Sequence, residues 1–97
     1  VLDMLFPNND YLTFTVSAAQ PVQFSFPNKK PKKIWLDVAS TTSFRFKINN
    51  DETGMLIHMN STTQKEFKIP STVNSISIST TVENSFYMTI LVEEWGN

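Results

Sequence analysis

Few residues in this chain have the type and spacing that chemistry requires, and they are scattered. His58 is the single histidine, which excludes a multi-histidine metal site within one chain. It could act as an acid–base group or complete a site across an oligomer interface. Its place beside Leu56, between Ile57 and Met59, favours an ordinary outward-facing strand residue. Asp51 and Glu52, with Asn49 and Asn50, resemble part of a calcium loop. They lack the alternating ligand spacing and the distal bidentate Glu that such a loop needs, so an acidic hairpin tip is expected. Glu93 and Glu94 are adjacent on a strand, where alternation sends neighbouring side chains to opposite faces and prevents a paired acid and base. No serine sits in a Gly-x-Ser-x-Gly elbow, no glycine-rich phosphate cradle exists, and there are no cysteines to act as nucleophile or thiolate ligand. The expectation is a protein that is not an enzyme, with no catalytic residue, no cofactor and no metal.

Three features could bind instead. Lys29, Lys30, Lys32 and Lys33 crowd around Pro31 and form a candidate anion-binding loop for a phosphate backbone or an acidic polysaccharide. Nucleic-acid binders usually add accessible aromatics and a basic balance, and a net charge of −1 makes nucleic acid an unfavoured partner. A solvated turn that keeps sheet edges soluble is the plain alternative. The second feature is a set of large residues opposite the inferred core: Tyr11, Trp35, Leu56, Tyr87, Leu91 and Trp95. These could anchor an oligomer interface, stack on sugar rings, or join a curled core. The third is the apolar start, residues 1–10, a possible N-terminal docking segment. Met4, Leu5 and Phe6 need burial, either on their own domain or as a strand added to a neighbour. Asn60-Ser61-Thr62 also matches a glycosylation sequon, which matters only in a eukaryotic secretory setting.

The elements that must position these residues are strands. Phe86 to Val92 is the most apolar run, with Phe86, Met88, Ile90 and Val92 on one face and Tyr87, Thr89 and Leu91 on the other. Apolar residues on both faces predict a central strand covered on both sides. Alternation recurs in Tyr11–Val16, Val22–Phe26, Ile34–Val38, Ser43–Ile48, Met55–Met59, Glu66–Ile69 and Ser75–Ser79. The prolines at positions 27 and 31 make 27–33 a loop in this reading, and Gly54 supplies a positive φ for the hairpin after Ile48. About eight short strands without a convincing helix predict an all-β fold, an antiparallel β-sandwich or jelly-roll-like barrel. The predicted core includes Phe24, Phe44, Phe46, Ile57, Ile76, Met88 and Ile90.

Composition fits a single domain over residues 1–97. Hydrophobic residues make up 40% and aromatics 12%, with eight Phe, enough for a core without staples. No apolar run approaches the roughly 20 residues that span a bilayer, so no membrane insertion is expected. The first residues have neither the basic stretch nor the cleavage site of a signal peptide. Roughly three residues in ten are Ser, Thr or Asn, above the usual share, giving a hydrated surface with little charge.

The second half carries a resemblance. It runs strand, Asn-rich turn, strand, then Phe67-Lys68-Ile69-Pro70, Val73-Asn74-Ser75-Ile76-Ser77-Ile78 and a closing Phe86-to-Trp95 run. Over roughly Ile34 to Trp95 this resembles the small β-sandwich domains of tailed-phage virion proteins, such as head fibres, decoration proteins and baseplate or tail modules. The resemblance rests on pattern and composition. It implies a non-catalytic virion structural or attachment subunit that self-assembles as a homo-oligomer and contacts other virion proteins. The alternative is a secreted or cell-surface carbohydrate-binding module, using Trp35, Tyr87 and Trp95 to stack on a surface glycan.

Overall fold

The computed structural model describes residues 1–96, and alternating sequence becomes strand nearly everywhere in them. Nine strands follow one another: β1 (Leu2–Leu5), β2 (Tyr11–Val16), β3 (Val22–Ser25), β4 (Lys30–Val38), β5 (Thr42–Ile48), β6 (Met55–Met59), β7 (Lys65–Lys68), β8 (Ser75–Ser79) and β9 (Phe86–Gly96). They form a β-sandwich of two sheets, ordered β1-β3-β8-β5-β6 and β2-β9-β4-β7. Only β5 and β6 are consecutive neighbours within a sheet; elsewhere the chain passes from one sheet to the other. Pairing is antiparallel throughout except for β1 beside β3.

The inner faces of the two sheets supply one core. Val16, Val22, Phe24, Ile34, Leu36, Ile76, Ile78 and Ile90 have no measurable exposure, and Phe44, Phe46 and Met88 have almost none. All seven predicted core residues are buried. Each such side chain contributes roughly 1.5–3 kcal/mol on leaving water, and aromatic edges add specificity: Phe14 meets Phe24 edge-on at 4.7 Å and Phe46 stacks on Phe67 at 5.2 Å. The few buried polar groups are satisfied. Thr80 Oγ1, for example, donates to the Ser43 carbonyl at 2.8 Å.

Two expectations change, and one open alternative is resolved. First, β9 is central in its sheet, bonded to β2 and β4, yet it is covered on one side only. The second sheet packs on its inner face, and among the described residues nothing covers the outer one, where Tyr87 and Leu91 are exposed. Second, the lysine-rich stretch is not all loop, because β4 begins at Lys30 and includes a buried Pro31. Strand β7 pairs only with Lys33–Leu36, so at Pro31 the strand is a sheet edge beside a bulge, where the missing N–H is tolerated. Third, the apolar start forms its own edge strand. β1 lies parallel to β3, the Phe6 amide donates to the Ser25 carbonyl at 3.0 Å, and the Phe6 ring enters the core.

Candidate functional site

The four-stranded sheet turns one face to the core and the other to solvent, and strand register decides what the open face carries. Tyr11 on β2 is opposite Leu91 on β9, Leu91 is opposite Trp35 on β4, and Trp35 is opposite Glu66 on β7. With strands about 4.8 Å apart, Tyr11, Leu91 and Trp35 form one continuous row across the sheet. Tyr11 is 56% exposed and Leu91 41%, while Trp35 is half-buried by its neighbours. Tyr87, 62% exposed, stands on the same face four residues before Leu91. Thr13 and Thr89 lie between them, their hydroxyls hydrogen-bonded at 2.8 Å.

Ionised groups close the other end of the row. Lys33 Nζ is 2.7 Å from Glu93 Oε2 and 3.3 Å from Glu66 Oε2, and the Trp35 indole N–H donates to Glu93 Oε1 at 2.9 Å. The Lys33 ammonium and Trp35 hold the Glu93 carboxyl below its ordinary value, and the two carboxylates, Glu93 foremost, raise that of Lys33. The cluster is solvent-screened. Its Glu93 carboxylate accepts the Trp35 indole N–H, so the ring lies toward β9.

Of the six candidate interface or stacking residues, Tyr11, Trp35, Tyr87 and Leu91 therefore come together. The other two do not. Leu56 is exposed on β6 of the other sheet, beside Arg45. Trp95 is not on the outer face: it packs against Phe6 and Phe26, with ring centres 5.9 and 6.2 Å away. The cause is a bulge. Ile34 pairs with Val92 but Lys33 pairs with Glu94, so Glu93 is an extra residue, and β4 restores the count with Lys32. The insertion breaks alternation and turns Trp95 inward. It also leaves Glu93 and Glu94 both exposed, in place of the opposite faces that regular alternation predicts.

The lysines are divided as well. Lys30 Nζ donates to the Val73 carbonyl at 2.8 Å and to Asn74 Oδ1 at 2.5 Å, tying the two sheets together, and Lys33 serves the carboxylates. Lys29 and Lys32 remain as exposed cations. Asp51 is spent on its hairpin, accepting from the amides of Thr53 and Gly54 at 3.3 and 2.9 Å. His58 lies opposite Ser43 on an outer strand face, lining a shallow depression that holds hydroxyls but no carboxylate. Among the described residues no three or more His, Cys, Asp or Glu gather to hold a metal. Among the described residues no helix is long and apolar enough to cross a membrane.

No family model, curated protein or solved structure matches this chain. What the site can do must be read from its own geometry: an aromatic and aliphatic row across the sheet, bounded at one end by ion pairs and separated from Tyr87 by the Thr13 and Thr89 hydroxyls.

Proposed function

We propose that the protein is a non-catalytic structural or attachment subunit of the virion class, working by self-assembly through the outer face of its four-stranded sheet. The row Tyr11–Leu91–Trp35 carries this reading, with Tyr87 beside it. Tyr and Trp are the residue types most enriched where a few side chains supply most of a binding energy. The row also suits a second copy of itself. A twofold axis running along β9 lays Leu91 on Leu91 and Tyr87 on Tyr87, and brings Tyr11 over the Trp35 of the other copy. This is an isologous contact, the commonest symmetry of homo-oligomers. The virion class is supported by the strand pattern and the Ser/Thr/Asn-rich composition described above.

The test is solution mass by light scattering across a concentration series, with acrylamide quenching of Trp35 read in a Trp95→Phe background. A discrete oligomer is expected, with Trp35 shielded only where the oligomer forms. Trp35→Ala should then weaken assembly by about 2 kcal/mol or more, roughly 30-fold in the dissociation constant. A monomer at every concentration, with Trp35 always quenchable, overturns self-assembly as the role.

A further inference from the structure

One end of the sandwich holds a small cleft that the sheet face does not share. Its apolar lining is Trp95, the buried Phe6 and Phe26, and Pro7 and Pro27. The polar groups lining it are Asn8, Asp10, Asn28 and Lys29. Its volume is about 230 Å³, below the roughly 300–1,000 Å³ that accommodates a drug-sized molecule. A single ring fits it, and a folded peptide does not.

The cleft is preformed. Phe6 and Phe26 pack with ring centres 5.3 Å apart, and each meets Trp95 edge-on. The Trp95 indole N–H donates to Asp10 Oδ1 at 3.1 Å, and the Asp10 carbonyl accepts from the Val92 amide at 2.7 Å. The prolines fix their own φ. Little ordering therefore remains for a ligand to impose, which is the condition under which a few contacts yield measurable affinity.

Its chemistry is mixed in a particular way. The half-buried Trp95 offers an apolar wall above a floor made by the buried Phe6 and Phe26, while exposed amides, a carboxylate and an ammonium line the mouth. Among the described residues the side chains of Asn8, Asn28 and Lys29 donate to no protein group, and Asp10 keeps Oδ2 available beyond its bond to Trp95. Asp10 and Lys29 cancel in charge, so the mouth does not select a strongly ionic ligand. A ligand that answers both surfaces has a C–H face for the rings and a set of hydroxyls able to donate and accept at the border. A pyranose ring has that form.

We propose that this cleft binds a neutral hexopyranose unit of a glycan. The site is independent of the self-assembly surface, since Tyr11, Trp35, Tyr87 and Leu91 do not line it. The test is saturation-transfer NMR on the full chain with methyl glycosides of glucose, galactose, mannose and N-acetylglucosamine, with methyl glucuronide as the charged comparison. At least one neutral glycoside should receive saturation, with a dissociation constant on the order of 1 mM. The exposed pair Asn28→Ala and Lys29→Ala should weaken that binding by roughly tenfold, as expected for one or two lost hydrogen bonds. Trp35→Ala should leave it unchanged while altering the oligomer, so the two surfaces fail separately. Absence of transfer to every neutral glycoside overturns the proposal, as does binding of the glucuronide alone. Undiminished binding by the double variant overturns it too.

Discussion

Two residues with positive φ shape the hairpin end of the five-stranded sheet. Asn49 has φ 59° and Gly54 φ 72°. Asn49 answers its strain with hydrogen bonds: its Oδ1 accepts from the Asn74 amide at 2.6 Å, its Nδ2 donates to the Thr72 carbonyl at 3.2 Å, and its own amide donates to the Ser75 carbonyl at 2.8 Å. The hairpin is thereby pinned to the segment that leads into β8. Gly54 has no such freedom of replacement, because a Cβ there would lie 2.7 Å from the Phe46 carbonyl oxygen. Gly54→Ala therefore combines a left-handed backbone penalty with a backbone clash. A loss of more than about 1 kcal/mol is expected in denaturant unfolding. An unchanged midpoint would show that the hairpin relaxes without cost. The need for Gly54 was legible in the sequence, since an Asn- and Asp-rich turn with one glycine leaves few candidates. The clip made by Asn49 was not, because its partners lie more than twenty residues away in the chain.

Period-two alternation made most strands and the whole predicted core readable, because burial on one face of a strand leaves a direct trace in residue type. Alternation carries no trace of where a strand gains a residue. The bulge at Glu93 is such a place, and it moved Trp95 from the expected outer face to the core margin. The pairing of β1 with β3 was equally hidden, since a four-residue apolar run fits either its own sheet or a neighbour's. The open outer face of β9 was masked because Tyr87 and Leu91 are as apolar as covered residues. The bulge makes a sharp prediction at this scale. Deleting Glu93 removes the extra residue and leaves Trp95 two positions after Val92, so the Lys33–Glu94 and Pro31–Trp95 pairs persist and the ring should stay inward. In a Trp35→Phe background the Trp95 emission should therefore be unshifted. A red shift would show that Trp95 turns outward when the bulge is lost, and that residue count alone does not set its face.

Across the whole molecule, the sandwich is assembled from remote partners. β2 near the start pairs with β9 at the end, joining Tyr11 to Leu91 and Val16 to Phe86. β8 enters between β3 and β5, and β9 enters between β2 and β4. Neither sheet can be completed until the last third of the chain has arrived. Among the described residues the β5–β6 hairpin is the one pairing of consecutive strands, and alone it is at best marginally stable. Loop-closure entropy must thus be met before most native contacts can form, and that places an all-β domain in the slow range of folding rates. Refolding followed by Trp95 fluorescence in a Trp35→Phe background should relax over milliseconds to seconds. Phe6 offers a second reading of the same order of events. It directly follows β1, an edge strand with a single sheet neighbour, but its ring sits in the core beside Phe24 and Phe26. A ring added late should be absent from the transition state. Phe6→Ala should then speed unfolding and leave the refolding rate nearly unchanged. If the variant instead slowed refolding by most of its equilibrium effect, the amino-terminal strand would belong to the folding nucleus, and the sandwich would close from its β1 edge.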